Sequence, residues 1–337
     1  MKQALLIGKG LYRNEIFDLR DIKNRDNCFK PYVDLREEFY RHGIVLNTVD
    51  CATELDISFE LHVNCMPRLS AAPAYLLLLE TGLVEPDNSK FDRTAYDGVF
   101  TWDEGQAILD RFYKINFPNS KPKLKYNDFN SRDLFMCLIS GNKCLPRDSI
   151  NDLYSERVRA IRWFEKNQPE SFELYGVGWN SPAARPNVLN KIYRRLYLRV
   201  GPILGIKAFK SYRGEIRSKA DVLSRAKFSI CFENVGGING YLTEKIFDCF
   251  FYGNVPVYLG APDVSKYIPS ECFIDMRKFS NYSDLYLTLR EMDEKAYQNY
   301  QNNIAEFLNS GDFYPFSSES FSQTVCQTII RDLNRVP

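Results

Sequence analysis

Short apolar runs alternate along this chain with stretches of helical periodicity. "QALLIG" (3–8), "IVLNTV" (44–49), "AYLLLLE" (74–80), "GVFTW" (98–102) and "LFMCLIS" (134–140) are brief and rich in branched residues, which predicts strands. Between the first two, "PYVDLREEFYRHG" (31–43) places apolar residues at helical spacing before a glycine stop. The second half repeats the theme. A helix is predicted over 152–167, then strands over 172–177, 228–234, 255–260 and 272–276. Helices fill 243–252, 282–291 and 294–309, and a last one spans 317–334. Strands that are apolar nearly throughout, with helices between them, predict parallel sheets covered on both faces. The fold class is α/β, with two doubly wound halves facing a central cleft. The polar turn "SGNKCLPRDS" puts the division near 145–155. Residues 1–150 then form one domain and 151–315 another, with the 316–337 segment packing back on the first.

Composition narrows the function. A chain of 337 residues suits two domains of about 150 residues each. Lys+Arg at 44 nearly balances Asp+Glu at 43, which argues against a general nucleic-acid binder. Nine cysteines, with no C-x-x-C pair, are expected to be free thiols in a reducing compartment. "MKQALLIGKG" reads as a strand rather than a leader, and no apolar run reaches the roughly 18 residues a membrane span needs. A cytoplasmic location is the expectation.

The chemistry concentrates in "CFENVGGINGYLTEKIFDCFFYGNVPVYLGAP" (231–262). A buried strand ends in polar residues, a glycine-rich turn follows, and Thr243 stands as N-cap of a helix that Gly253 stops. Ligands of open α/β sheets bind at the carboxyl ends of strands, and helix N-termini attract anions. Glu244 and Lys245 occupy the first helical turn. A carboxylate accepts both hydroxyls of a ribose, and an ammonium neutralises a phosphate. The alternative is a Glu244 that merely complements the helix dipole beside a solvated Lys245. The glycines do not spell G-x-G-x-x-G, and only "GKGLYRNE" follows the first strand, which weakens a nicotinamide oxidoreductase.

The span from "FSICFEN" through "YLTEKIFDCFFYGNVPVYLGAP" to "CFIDMRKF" resembles the donor-binding signature of the family 10 glycosyltransferases, the α-1,3/α-1,4-fucosyltransferases. The parts F-E-N, Y-x-T-E-K, G-x-V-P-V-x-x-G and an F-I strand occur here in the family's order. The resemblance implies a GT-B fold of two Rossmann-like domains. It implies GDP-fucose as donor, held by the second domain, and a glycan or lipid-linked oligosaccharide as acceptor. Inverting transfer in bacterial surface polysaccharide or lipopolysaccharide synthesis would follow. Asn234 and Tyr241 then line the donor pocket, Glu244 holds the ribose and Lys245 the diphosphate. Upstream, "YSERVRAIRWFEKNQPESFELYGVGWN" (154–180) also resembles the family, and Arg157 matches a second diphosphate contact. Arg147, Arg159 and Arg162 are its neighbours and rivals. The same machinery with another nucleotide sugar, and a non-catalytic glycan- or nucleotide-binding protein, stand as alternatives.

Inverting transfer needs a general base for the acceptor hydroxyl and positive charge for the leaving diphosphate. Glu80 ends an apolar run and so emerges at the carboxyl end of a buried strand. The family's first domain has a similar strand ending in its base, which makes Glu80 the candidate; Glu85, Asp50 and Asp103 are weaker. His62 alternates with Ser58, Glu60 and Asn64, which predicts a solvated strand face, and His42 sits beside a helix-stopping glycine. No ligand-spaced cluster of His, Cys and acidic residues appears, so no metal and no obligatory cofactor is expected.

From Leu174 to Gly214 there is no Asp or Glu, while eight Lys and Arg occur. The middle of that stretch, "VLNKIYRRLYLRVGPIL" (188–204), mixes aromatics, leucines and arginines. Peripheral contact of 185–213 with an anionic membrane face is one reading, and a solvated basic surface the other.

Overall fold

The computed structural model describes residues 1–53, 56–90, 92–124 and 126–335. The chain folds as two compact units. Met1–Lys121 and Phe313–Pro337 make the first, and Pro122–Asp312 the second.

The first unit carries strands β1 (Lys2–Gly8), β2 (Ile44–Thr48), β3 (Ile57–Val63), β4 (Ala74–Leu78), β5 (Gly98–Thr101) and β6 (Phe112–Lys114), with helices α1 (Lys30–Arg41) and α2 (Glu104–Ala107). The strands form one parallel sheet in the order β2-β1-β3-β4-β5-β6. Every residue of β4 is buried, which fits a strand covered on both faces. Leu35 and Phe39 of α1 share one core with Leu6, Leu46 and Phe59 of the sheet. Burying each such side chain contributes about 1.5–3 kcal/mol.

The second unit carries β7 (Leu134–Ile139), α3 (Leu153–Asn167), β8 (Phe172–Tyr175), α4 (Val188–Val200), β9 (Tyr212–Gly214), α5 (Ala220–Leu223) and β10 (Ala226–Phe232). It continues through α6 (Glu244–Phe251), β11 (Val255–Leu259), β12 (Ile274–Asp275), α7 (Tyr282–Glu291) and α8 (Glu294–Asn309). The sheet is again parallel, in the order β12-β11-β10-β7-β8-β9. The chain runs outward from β7 to β9, returns, and runs the other way from β10 to β12. The crevice beyond the carboxyl ends of β7 and β10 is therefore the topological switch point, where such sheets bind ligands. The last helix, α9 (Ser318–Leu333), returns to the first unit, where Phe321, Val325 and Ile329 join the core against α1. Val336 and Pro337, the end of the 316–337 segment, lie outside the described residues.

Two expectations are corrected. The division at 145–155 fails because β7, placed with the first domain, pairs with β8 and β10 in the second sheet. The polar turn after it is the loop at the switch point, and the units part at Lys121–Pro122 instead. The polar side of β3 is not solvated either. Glu60 and His62 are fully buried, with His62 Nε2 3.0 Å from Glu60 Oε2. The following loop covers them, its Leu69 N–H donating to Glu60 Oε1 at 3.0 Å. Burial pushes the His62 imidazole below its usual range against the pull of Glu60.

Candidate active site

β10 delivers Glu233 and Asn234 to the switch point and, through the glycine turn, the start of α6. Glu233 is fully buried. Its Oε1 accepts from the Thr243 N–H at 2.9 Å and its Oε2 from the Thr243 hydroxyl at 2.7 Å. Lys245 Nζ lies 3.2 Å from the same Oε2 and donates to the Thr243 hydroxyl oxygen at 2.8 Å. Thr243 is thus the N-cap residue by position, but its side chain serves the buried carboxylate rather than the helix. Gly260 makes this packing feasible, since a Cβ there would stand 2.6 Å from Glu233 Cγ. Gly237 turns the loop at φ +71°, a conformation that L side chains rarely adopt.

Glu244 and Lys245 are the partly exposed members of this cluster, with side chains 37% and 22% exposed and 3.5 Å apart. Burial works against the Glu244 charge, yet the Lys245 and Lys219 ammoniums and a backbone N–H hold its pKa down to about 2. The carboxylate is therefore ionised at neutral pH, ready to accept hydrogen bonds.

Arg157, from the first turns of α3, is buried and aims at the same corner. Its Nε and Nη2 donate to the Phe232 carbonyl at 3.2 and 2.6 Å, and Nη2 also donates to Asn234 Oδ1 at 3.1 Å. Its guanidinium lies 4.9 Å from the Tyr154 ring centroid, and burial lowers its pKa from the usual arginine value. Asn234 Nδ2 donates to the Tyr241 hydroxyl at 3.4 Å. Tyr241 is 1% exposed, so it supports Asn234 from beneath. Arg157, Asn234, Tyr241, Glu244 and Lys245 thus come together. Of the rival arginines, Arg159 pairs with Glu156 and Arg162 with Glu165, while Arg147 is exposed in the loop after β7.

Glu80 belongs to the first unit, two residues beyond the carboxyl end of β4, and is half-buried. Two asparagines fix its backbone. Its N–H donates to Asn64 Oδ1 at 3.1 Å, and its carbonyl accepts from Asn88 Nδ2 at 2.8 Å. Asn88 Nδ2 also donates to Asn64 Oδ1 at 2.9 Å, closing the clamp. Asp103 is occupied as the N-cap of α2, and Asp50 accepts from the Arg13 N–H and the Thr48 hydroxyl. The reading from sequence missed Glu233, Asn64 and Asn88. The F-E-N triplet was the one available signal for Glu233. Among the described residues no three His, Cys, Asp or Glu side chains converge as metal ligands.

Residues 177–332 match the family model "Glycosyltransferase family 10 (fucosyltransferase) C-term". Alpha-(1,3)-fucosyltransferase FucT of Helicobacter pylori is 31% identical over 212 residues, covering 56% of this chain and 44% of that protein. The human 4-galactosyl-N-acetylglucosaminide 3-alpha-L-fucosyltransferase 9 is 30% identical over 144 residues, covering 41% and 38%. The chain thus spans less than half the length of these relatives. A crystal structure of alpha1,3-fucosyltransferase with GDP-fucose has TM-score 0.54 at 16% identity, over 99% of this chain and 91% of that one. Anabaena Alr3699/HepE in complex with UDP and glucose has TM-score 0.54 at 12% identity, over 98% and 100%. Those two likenesses speak for the fold, a GT-B pair of Rossmann-like domains. The motif order of β10, the glycine turn and α6 agrees with that match, so residues 177–332 are similar to the C-terminal domain of the family 10 fucosyltransferases.

Proposed function

We propose that this chain transfers fucose from GDP-fucose to a hydroxyl of a glycan acceptor, with inversion at the sugar carbon. One observation carries the reading: at the start of α6 an ionised Glu244 and the Lys245 ammonium stand side by side, beyond the carboxyl end of β10. A carboxylate next to an ammonium suits a ribose next to a diphosphate. In this reading Glu244 accepts the ribose hydroxyls. Lys245 and Arg157 stabilise the diphosphate, and Asn234, held by Tyr241, shapes the pocket. Glu80 takes the acceptor proton as the acceptor oxygen attacks the sugar carbon. The carbon–phosphate-oxygen bond breaks, and its electron pair leaves on GDP. The cationic side chains and the N-terminus of α6 meet that charge. No metal is required by this scheme, and the donor enters as a substrate rather than a cofactor.

The names of the relatives support fucose and a galactosyl-N-acetylglucosamine acceptor. An oligosaccharide carried on a lipid, as in surface polysaccharide or lipopolysaccharide synthesis, presents the same kind of hydroxyl. A second reading, the same machinery with another nucleotide sugar, draws on the fold shared with the UDP- and glucose-bound HepE.

The test is to incubate the chain with labelled GDP-fucose and a galactosyl-N-acetylglucosamine disaccharide. Equal amounts of GDP and fucosylated product, with the anomeric configuration inverted, are expected. Product from a UDP-sugar alone would favour the second reading. Nucleotide binding without transfer to any acceptor would make the chain a binding protein.

A further inference from the structure

α4 is built the wrong way round for a helix on a protein surface. Three of its polar residues face the protein. Asn190 Nδ2 donates to the Ala183 carbonyl at 3.1 Å, Arg194 Nη2 donates to the buried Ser181 hydroxyl at 2.8 Å, and the Tyr197 hydroxyl donates to the Ile206 carbonyl. These positions are four and three residues apart and so share one face. The opposite face carries Val188, Leu189, Ile192, Tyr193, Leu196 and Val200, each between 42% and 78% exposed. No residue of α4 is buried. Ile203 and Leu204, just beyond the helix, are 82% and 64% exposed. A helix covering a core turns its apolar stripe inward. A contiguous apolar face turned outward marks a surface that meets another apolar phase.

The charge around this face identifies the phase. Lys191, Arg195 and Arg199 recur every four residues, a row along one edge of the apolar stripe. With Arg194 and Leu198 they line an open hollow of about 490 Å³. The surrounding stretch from Leu174 to Gly214 has eight Lys and Arg and no carboxylate side chain. A second copy of this chain is a poor occupant, because the face paired with itself would set arginine against arginine with no acid between. An acyl layer bordered by phosphate head groups answers both features.

We propose that α4 and the turn after it form a docking surface for an anionic lipid bilayer. The stripe of Ile192 and Leu196 enters the boundary of the acyl layer, and the Lys191, Arg195 and Arg199 row meets the lipid phosphates. Interfacial helices of this kind draw on buried apolar area and on attraction to anionic lipid together. The proposal is independent of the donor chemistry, and no helix among the described residues is long and apolar enough to cross a membrane.

Vesicle flotation of the full chain tests it. The chain is expected to float with phosphatidylcholine vesicles containing phosphatidylglycerol at low salt and to stay behind with phosphatidylcholine alone. At about 1 M salt, where screening acts within ~3 Å, binding should fall sharply. Each basic residue near an anionic surface contributes about 1 kcal/mol, about fivefold in partitioning, so Arg195→Gln with Arg199→Gln should weaken flotation roughly thirtyfold. Ile192→Ser with Leu196→Ser should abolish it, and melting curves of these surface variants should match the parent's. Absence of binding to the phosphatidylglycerol vesicles, or equal binding to neutral ones, would overturn the proposal without reference to any variant. So would a dimer in solution that the Ile192→Ser, Leu196→Ser pair dissolves, since a second copy would then be the occupant.

Discussion

Glu80→Gln should slow sugar transfer by about two to four orders of magnitude, the contribution of a well-placed general base. GDP affinity should stay unchanged, because Glu80 lies in the first unit and the proposed nucleotide contacts lie in the second. The substitution keeps the shape and removes the basic oxygen. It also leaves the asparagine clamp intact, since Asn64 and Asn88 hold the backbone N–H and carbonyl of residue 80 rather than its carboxylate. Melting curves of the two proteins, read beside the rates, separate lost chemistry from lost architecture. Steady-state rates with saturating donor and acceptor are the measurement. Turnover of the glutamine variant within tenfold of the parent's would remove Glu80 as the base.

Glu233→Ala should cost the second unit about 3–5 kcal/mol, the penalty for breaking a buried ion pair from one side. The carboxylate is fully buried and serves the Thr243 N–H, the Thr243 hydroxyl and the Lys245 ammonium at once. Its removal leaves all three facing an empty space that Gly260 had kept open. Glu233→Gln keeps one acceptor oxygen for the Thr243 N–H and loses the charge and the second acceptor, so its cost should be smaller, about 1–3 kcal/mol. Urea denaturation of the three proteins reads both values. A loss under 1 kcal/mol for Glu233→Ala would mean that the buried carboxylate does not organise the start of α6. Nucleotide affinity should fall in both variants, since Lys245 loses the anchor that positions it.

How far the pattern of residues foretold this molecule depends on how local each feature is. The buried strands were readable because β4 is apolar on both faces and β10 along one whole face, and that shows in a short window. The start of α6 was readable because a glycine turn and a Thr-Glu-Lys step adjoin in the chain. Sheet membership is different. Nothing within "LFMCLIS" says that β7 pairs with β8 and β10, which follow it in the chain, so the division was set too late. The three-residue edge strands β6 and β9 are too short to display a period. Alternation in "ISFELHVN" suggested a wet face, but a covering loop is a tertiary event, and it buries Glu60 and His62. Glu233 was passed over for the same reason. Its burial depends on Gly260, and a glycine 27 residues away gives no local sign of whom it admits.

The account stands on a nucleoside diphosphate meeting the first turn of α6, and a crystal structure of the chain soaked with GDP tests it most directly. The ribose hydroxyls should lie within about 2.6–3.2 Å of the Glu244 carboxylate, with a phosphate oxygen at similar range from Lys245 Nζ. GDP bound elsewhere, or bound in this crevice with no phosphate oxygen in reach of Lys245 Nζ and no ribose hydroxyl on Glu244, would contradict it.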